Sequence, residues 1–155
     1  MDGIRKRMDA MIAETGWWVQ AVLPGHDSPS FAYSVGMTET FGHPEILMMG
    51  FSPELMHTLI NGIGGLVREG ARFGDRDASD EVIRGYPVVF REPEDSASAE
   101  YALAAVSRYG KGRFRLLQCF LPDAQGRFPW DEGCDEGYVR HQGALLDRMA
   151  SKGLS

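Results

Sequence analysis

Across a single serine, the stretch from residue 30 to residue 70 changes from a two-residue to a 3.6-residue hydrophobic period. That switch restricts the chain to folds in which a helix packs on a sheet. Phe31, Tyr33, Val35 and Met37 alternate with Ala32, Ser34 and Gly36, so one face of this strand is bulky and the other small. Ile46 to Phe51 is an apolar run of strand length, which suits a central strand. Ser52-Pro53-Glu54 then starts a helix: serine caps, proline fits the first helical position, and glutamate complements the dipole. Leu55, Met56, Leu59, Ile60, Ile63, Leu66 and Val67 fall on one arc of it, and Gly70 closes it. Gly62, Gly64 and Gly65 each cost about 1 kcal/mol relative to alanine inside a helix, which implies close packing on the sheet or a bend.

The flanking segments extend the same plan. Ile4, Met8, Met11 and Ile12 recur at helical spacing before Gly16, so residues 2–15 read as an amphipathic helix. Trp17 to Leu23 reads as a strand ended by Pro24-Gly25. Residues 71–81 read as a loop and Val82 to Glu92 as a strand, with Pro87 favouring an edge or a bulge. Ala97 to Tyr109 reads as an alanine-rich helix, Arg113 to Leu121 as a strand, and about 139–150 as a closing helix. Several strands are joined by loops too short for a parallel crossover. The expectation is an α+β domain spanning residues 1–155, with a mixed, largely antiparallel sheet and helices on one face.

Charge and composition exclude whole classes of function. The 22 acidic and 16 basic residues leave a net charge of −6, against a general nucleic-acid binder, which needs a concentrated positive footprint. No run approaches the roughly 20 apolar residues that cross a bilayer, so no membrane role is expected. The residues from Met1 to Glu14 lack the continuous apolar segment of a signal peptide. Two cysteines, Cys119 and Cys134, make no disulfide framework. A cytoplasmic location is expected.

Gly16-Trp17, Phe31-Ala32-Tyr33-Ser34-Val35-Gly36-Met37 and Phe41-Gly42-His43-Pro44-Glu45 recur together with Leu59-Ile60-Asn61, Gly70, Pro122-Asp123, Gly126 and Phe128-Pro129-Trp130-Asp131. In these residues the chain resembles the domain-of-unknown-function family 4262 over about residues 14–146. The resemblance implies a bacterial protein and supports the fold boundaries; it carries no assigned activity.

The residues themselves offer candidates. His43 and Glu45, two apart in an extended turn, point the same way, so Glu45 can tune His43 as a general base; the alternative is that both make loop hydrogen bonds. Replacing them by alanine costs within about 1 kcal/mol if both are exposed. Ser34 lacks the Gly-x-Ser-x-Gly context of a hydrolase nucleophile and suits a ligand hydrogen-bond donor. Trp130 either plugs the core or walls a pocket, and Asp131 beside it is either a carboxylate for acid–base work or a turn former. A zinc site from Cys119, Cys134 and His141 requires the fold to bring them together, and no metal is expected.

Two functions compete. One is a non-catalytic module binding a small molecule or a protein partner over the face of Ala32, Ser34 and Gly36, with Tyr33, His43, Glu45, Trp130 and Asp131 as further ligand-binding candidates. The other is an enzyme: a flavin-dependent split barrel, similar in strand order to flavin-reductase-like barrels, holding FMN at a homodimer interface, or less favourably a hydrolase using His43. The first is the preferred expectation.

Overall fold

The computed structural model describes residues 2–150; residues 1 and 151–155 of the expected domain lie outside the described residues. Helix α1 (Asp2–Thr15) leads through Gly16 into β1 (Trp18–Val22), β2 (Phe31–Val35), a short α2 (Met37–Phe41) and β3 (Glu45–Met49). After β3 come the long α3 (Pro53–Arg68), the hairpin β4 (Ala78–Ile83) and β5 (Tyr86–Arg91), α4 (Asp95–Tyr101), α5 (Leu103–Tyr109), β6 (Leu116–Phe120) and α6 (Glu136–Gln142).

The strands form one six-stranded sheet in the order β1-β2-β3-β6-β5-β4. Every neighbouring pair is antiparallel except β3 and β6, which run parallel at the centre. Two three-stranded meanders therefore meet at that pair, and α3 supplies the crossover between them, as a parallel connection requires. The sheet is α+β and open, with β1 and β4 as its edges. The sheet shows no barrel-like closure of the kind considered from strand order.

Helices cover both faces, correcting the one-sided arrangement expected above. On one side, Met56, Leu59, Ile60, Ile63 and Val67 of α3 pack on Ala32, Ile46, Met48, Phe90, Leu117 and Cys119. On the other, Met8 and Ile12 of α1 and Ala97, Ala102 and Ala105 of the α4–α5 segment pack on Phe31, Tyr33, Val35, Leu47, Met49 and Leu116. Strands β2, β3 and β6 are buried at every position, which explains why Ile46 to Met49 reads as a continuous apolar run. The small face of β2 is thus filled by α3.

Other boundaries moved for local reasons. The stretch expected as a loop contains β4, whose polar residues Ser79, Asp80 and Glu81 suit an edge strand. Pro87 lies where the β4–β5 register shifts, between the pairs Ser79–Val88 and Ile83–Tyr86, in keeping with a bulge. The alanine-rich helix breaks at Ala102 into α4 and α5. The closing helix expected at about 139–150 instead starts earlier, at Glu136, because Asp135 accepts from the N–H groups of Gly137 and Tyr138. It ends at Gln142, and only a 3-10 turn, Leu146–Arg148, follows.

The glycines of α3 separate by environment. A Cβ on Gly64 would stand 2.4 Å from the Trp17 indole, whereas Gly62 and Gly65 have nothing within 4 Å. Trp17 is held in that slot by a 2.8 Å bond from its Nε1 to Asn61 and by the Arg68 guanidinium 5.0 Å above the ring. Gly64→Ala is therefore expected to destabilise by about 2 kcal/mol through overpacking. Gly62→Ala and Gly65→Ala are expected to stabilise by about 0.5–1 kcal/mol through helix propensity. Urea denaturation followed by tryptophan fluorescence checks all three.

Candidate functional site

The conspicuous polar feature of the interior is the Glu45 carboxylate, fully buried where β2 and β3 splay apart. The β2–β3 ladder stops at the pair Tyr33–Leu47. Beyond it, the Ser34 hydroxyl substitutes for the missing backbone partner, accepting from the Ile46 N–H at 2.9 Å and donating to Glu45 Oε1 at 2.7 Å. The backbone then turns at Gly36 so that the N–H groups of Gly36, Met37 and Thr38 reach the same carboxylate at 3.2, 3.1 and 2.9 Å. Glu45 thus caps α2 from a neighbouring strand, where the helix has no side-chain cap of its own. Burial raises the Glu45 pKa, while the hydrogen bonds from Thr38, Ser34 and Met37 restrain the rise.

His43 sits next to this network and shares no hydrogen bond with Glu45. Its Nε2 accepts from the Phe73 N–H at 3.0 Å, which leaves Nδ1 as the protonated nitrogen facing the Pro44 carbonyl at 2.8 Å. Both ring nitrogens are engaged by backbone, and the residue is only 2% exposed. A general base needs a free lone pair directed at substrate; here it is directed at Phe73. Burial lowers the His43 pKa below the ordinary 6.5, opposed by the Pro44 hydrogen bond and helped by the charges of Arg72 and Arg115. Stability linked to His43 is present above that value and lost as pH falls through the depressed native pKa. The expected result is that His43→Gln lowers stability at pH 7.5 and flattens the acid-side loss that sets in below the ordinary 6.5; denaturation midpoints measured from pH 7.5 downward check it.

The other sequence candidates are dispersed. Tyr33 points to the opposite face from Ser34, where its hydroxyl accepts from the Ala104 N–H at 2.8 Å and caps the start of α5. Gly36 has φ +121° and lies against the Gly16–Trp17 backbone. Trp130 belongs to the other end of the sheet: it stacks on Phe128 at 5.0 Å and meets Phe120, the last residue of β6, edge-on at 5.1 Å. Asp131 accepts from the Phe128 N–H at 2.8 Å, holding that turn. Ser34, Gly36 and Glu45 form one network with His43 beside it, and the structure does not bring Tyr33, Trp130 or Asp131 to it. Cys119 is fully buried and Cys134 half-buried, and among the described residues no cluster of three metal-ligating side chains occurs.

Two hollows flank the parallel strand pair. At the N-terminal ends of β3 and β6, about 470 Å³ is lined by Thr38, His43, Pro44, Arg113 and Arg115. Its Arg115 is already forked onto Glu92, at 3.0 and 2.6 Å. At the C-terminal end of β3 lies a larger cleft of about 670 Å³, between the β1–β2 loop, the β3–α3 turn and α6. Gly50 presses on the α6 backbone at its base, and Ser30 donates to the Phe51 carbonyl at 2.8 Å. His26, Asp27, Arg140 and His141 line it. Among the described residues, none of these four side chains has a hydrogen-bond or salt-bridge partner. Sequence reading passed over His26, Asp27 and Arg140, each an isolated polar residue in a loop or on a short helix, and raised His141 only as a zinc ligand beside Cys119 and Cys134.

Residues 11–135 match the family model described as Domain of unknown function (DUF4262). The chain belongs to the DUF4262 family. The matched segment takes in Gly16-Trp17, Gly36, the Gly42-His43-Pro44-Glu45 turn and the whole sheet, so it spans the residues that build the Glu45 network in this DUF4262 protein. Arg140 and His141 of the larger cleft lie beyond the matched residues. No curated protein and no solved structure matches the chain.

Proposed function

We infer that this DUF4262 protein is a non-catalytic module that binds a small acidic molecule in the 670 Å³ cleft at the C-terminal end of β3. The observation that carries the reading is the contrast in side-chain use. Ser34, His43 and Glu45 are spent on backbone and on each other, whereas His26, Arg140 and His141, with the single carboxylate of Asp27, line an open cleft without partners among the described residues. The volume lies in the range of small-molecule sites. Ligands of open sheets with parallel strands collect at the carboxyl ends of those strands. Arg140 brings a permanent charge that pairs with a carboxylate or phosphate, and the N-terminus of α3, beside Ser52, adds a partial positive charge. A bacterial cytoplasm is the setting we propose, in keeping with two unpaired cysteines.

The test is a titration of isotope-labelled protein with inorganic phosphate and with succinate, followed by amide shifts. Shifts should centre on Gly50, Phe51, Ser52 and His141, and Arg140→Ala should weaken binding about tenfold, ~1.4 kcal/mol. Shifts centred on Thr38, His43 and Arg115 would move the site to the opposite end of the sheet and sink this assignment. No helix of the described residues is long and apolar enough to cross a membrane.

A further inference from the structure

The two edges of the sheet are guarded unequally. On β4, Asp80 and Glu81 are exposed, and the ladder to β5 is interrupted by a register shift. Charge and irregularity are the usual devices that keep an edge strand from pairing with another chain. The β1 edge has neither. From Trp17 to Leu23 no residue is charged, the ladder to β2 is regular from Trp18 to Val22, and Leu23 beyond it is 73% exposed. Helix α1 runs back alongside: Ile4 borders a hollow that reaches Gln20, and Met11 one that reaches Trp18 and Val19. Ile4 and Met11, seven residues apart on one helical face, are 47% and 42% exposed.

We propose that β1 pairs antiparallel with β1 of a second copy of this chain about a two-fold axis, continuing the sheet across both copies. A strand paired with its own reverse is the self-complementary contact that a two-fold dimer requires. The charge on α1 selects a second copy as the occupant. Arg5, Lys6 and Arg7 outnumber Asp2 in its first half, Asp9 is paired with Arg108, and Glu14 is the one charge of its last turn; Arg5, Lys6, Arg7 and Glu14 are exposed. Reversing β1 also reverses α1, so the basic end of one helix faces the acidic end of the other. The same operation places Ile4 and Met11 of the two copies along one seam, and the opposed helix dipoles favour it.

Light scattering and sedimentation on the full chain test this. The expected mass at ~100 µM is twice the 17.2 kDa of one chain, falling on dilution. Ala21 is exposed on the edge, so Ala21→Lys and Ala21→Glu should each remain folded by circular dichroism and return the mass to one chain. Mixing the two variants in equal amounts should restore the dimer. Amide hydrogen exchange of β1 in the unmodified protein should slow as concentration rises, an outcome independent of any variant. A single-chain mass at ~100 µM overturns the proposal, even if the edge then captures an extended peptide from another protein. So does a dimer indifferent to both substitutions with β1 exchange unchanged.

Discussion

Replacing Gly36 by alanine is expected to cost about 4 kcal/mol or more of folding stability, a large share of the roughly 5–15 kcal/mol a domain of this size holds. Two effects add. The residue has φ +121°, a backbone region that side-chain-bearing residues occupy only at a cost of about 1–3 kcal/mol. A Cβ would also lie 2.6 Å from the Gly16 carbonyl oxygen and 2.8 Å from the Trp17 Cα, and backbone has no rotamer by which to yield. Relief would require the α1–β1 turn to move away from the end of β2. Gly42 provides the comparison, with φ +66° and nothing within 4 Å of its Cβ position. Gly42→Ala should therefore cost only the left-handed penalty, about 1 kcal/mol. Urea midpoints at constant slope measure both. Equal losses at the two positions would show that conformation alone sets the cost and that the approach to Gly16 is unimportant.

Glu45→Gln is the second large effect, expected at about 2–4 kcal/mol at neutral pH. An amide keeps one acceptor oxygen and turns its NH2 toward the N–H groups that the second carboxylate oxygen now accepts from. At least two of the donors from Ser34, Gly36, Met37 and Thr38 would then be buried without a partner. The cost extends beyond Glu45, because its carboxylate fixes the start of α2, and α2 sets the turn that carries His43. Its pH dependence has the opposite sign to that of His43. Burial raises the native pKa above the ordinary 4.5, so stability linked to Glu45 is full below that value and is lost as pH rises through the raised native pKa. Glu45→Gln should abolish this dependence while keeping the acid-side loss due to His43. A variant within about 1 kcal/mol of the parent, the outcome expected of an exposed loop residue, would show the network to be unimportant for stability.

The pairing of His43 with Glu45 as base and tuning acid illustrates what spacing alone misjudges. Two residues apart in an extended segment they can point the same way, but the pleat carries no information on how far β2 has already diverged from β3. It is that divergence that draws Glu45 to Ser34 and the α2 backbone. His43 is drawn to Phe73 by the chain's return after α3, thirty residues later. Each buried donor takes the acceptor that the assembled backbone offers, and the assembly is long-range.

What the sequence determined by itself is what local chemistry can encode. The alternation of Phe31 to Val35, the Ser52-Pro53-Glu54 start of α3, the Gly16 stop of α1 and the family-matching motifs sufficed for α1, β2, β3 and α3, the α+β class and the family. The tertiary structure alone decided which edges stay open, that helices lie on both faces, and that Gly64 rather than Gly62 or Gly65 receives the Trp17 ring. It also decided that His26 shares one cleft with Arg140 and His141, more than a hundred residues further along the chain. Periodicity and capping act over one or two turns of chain, whereas burial and hydrogen-bond satisfaction are settled between segments that meet only when the sheet closes its core.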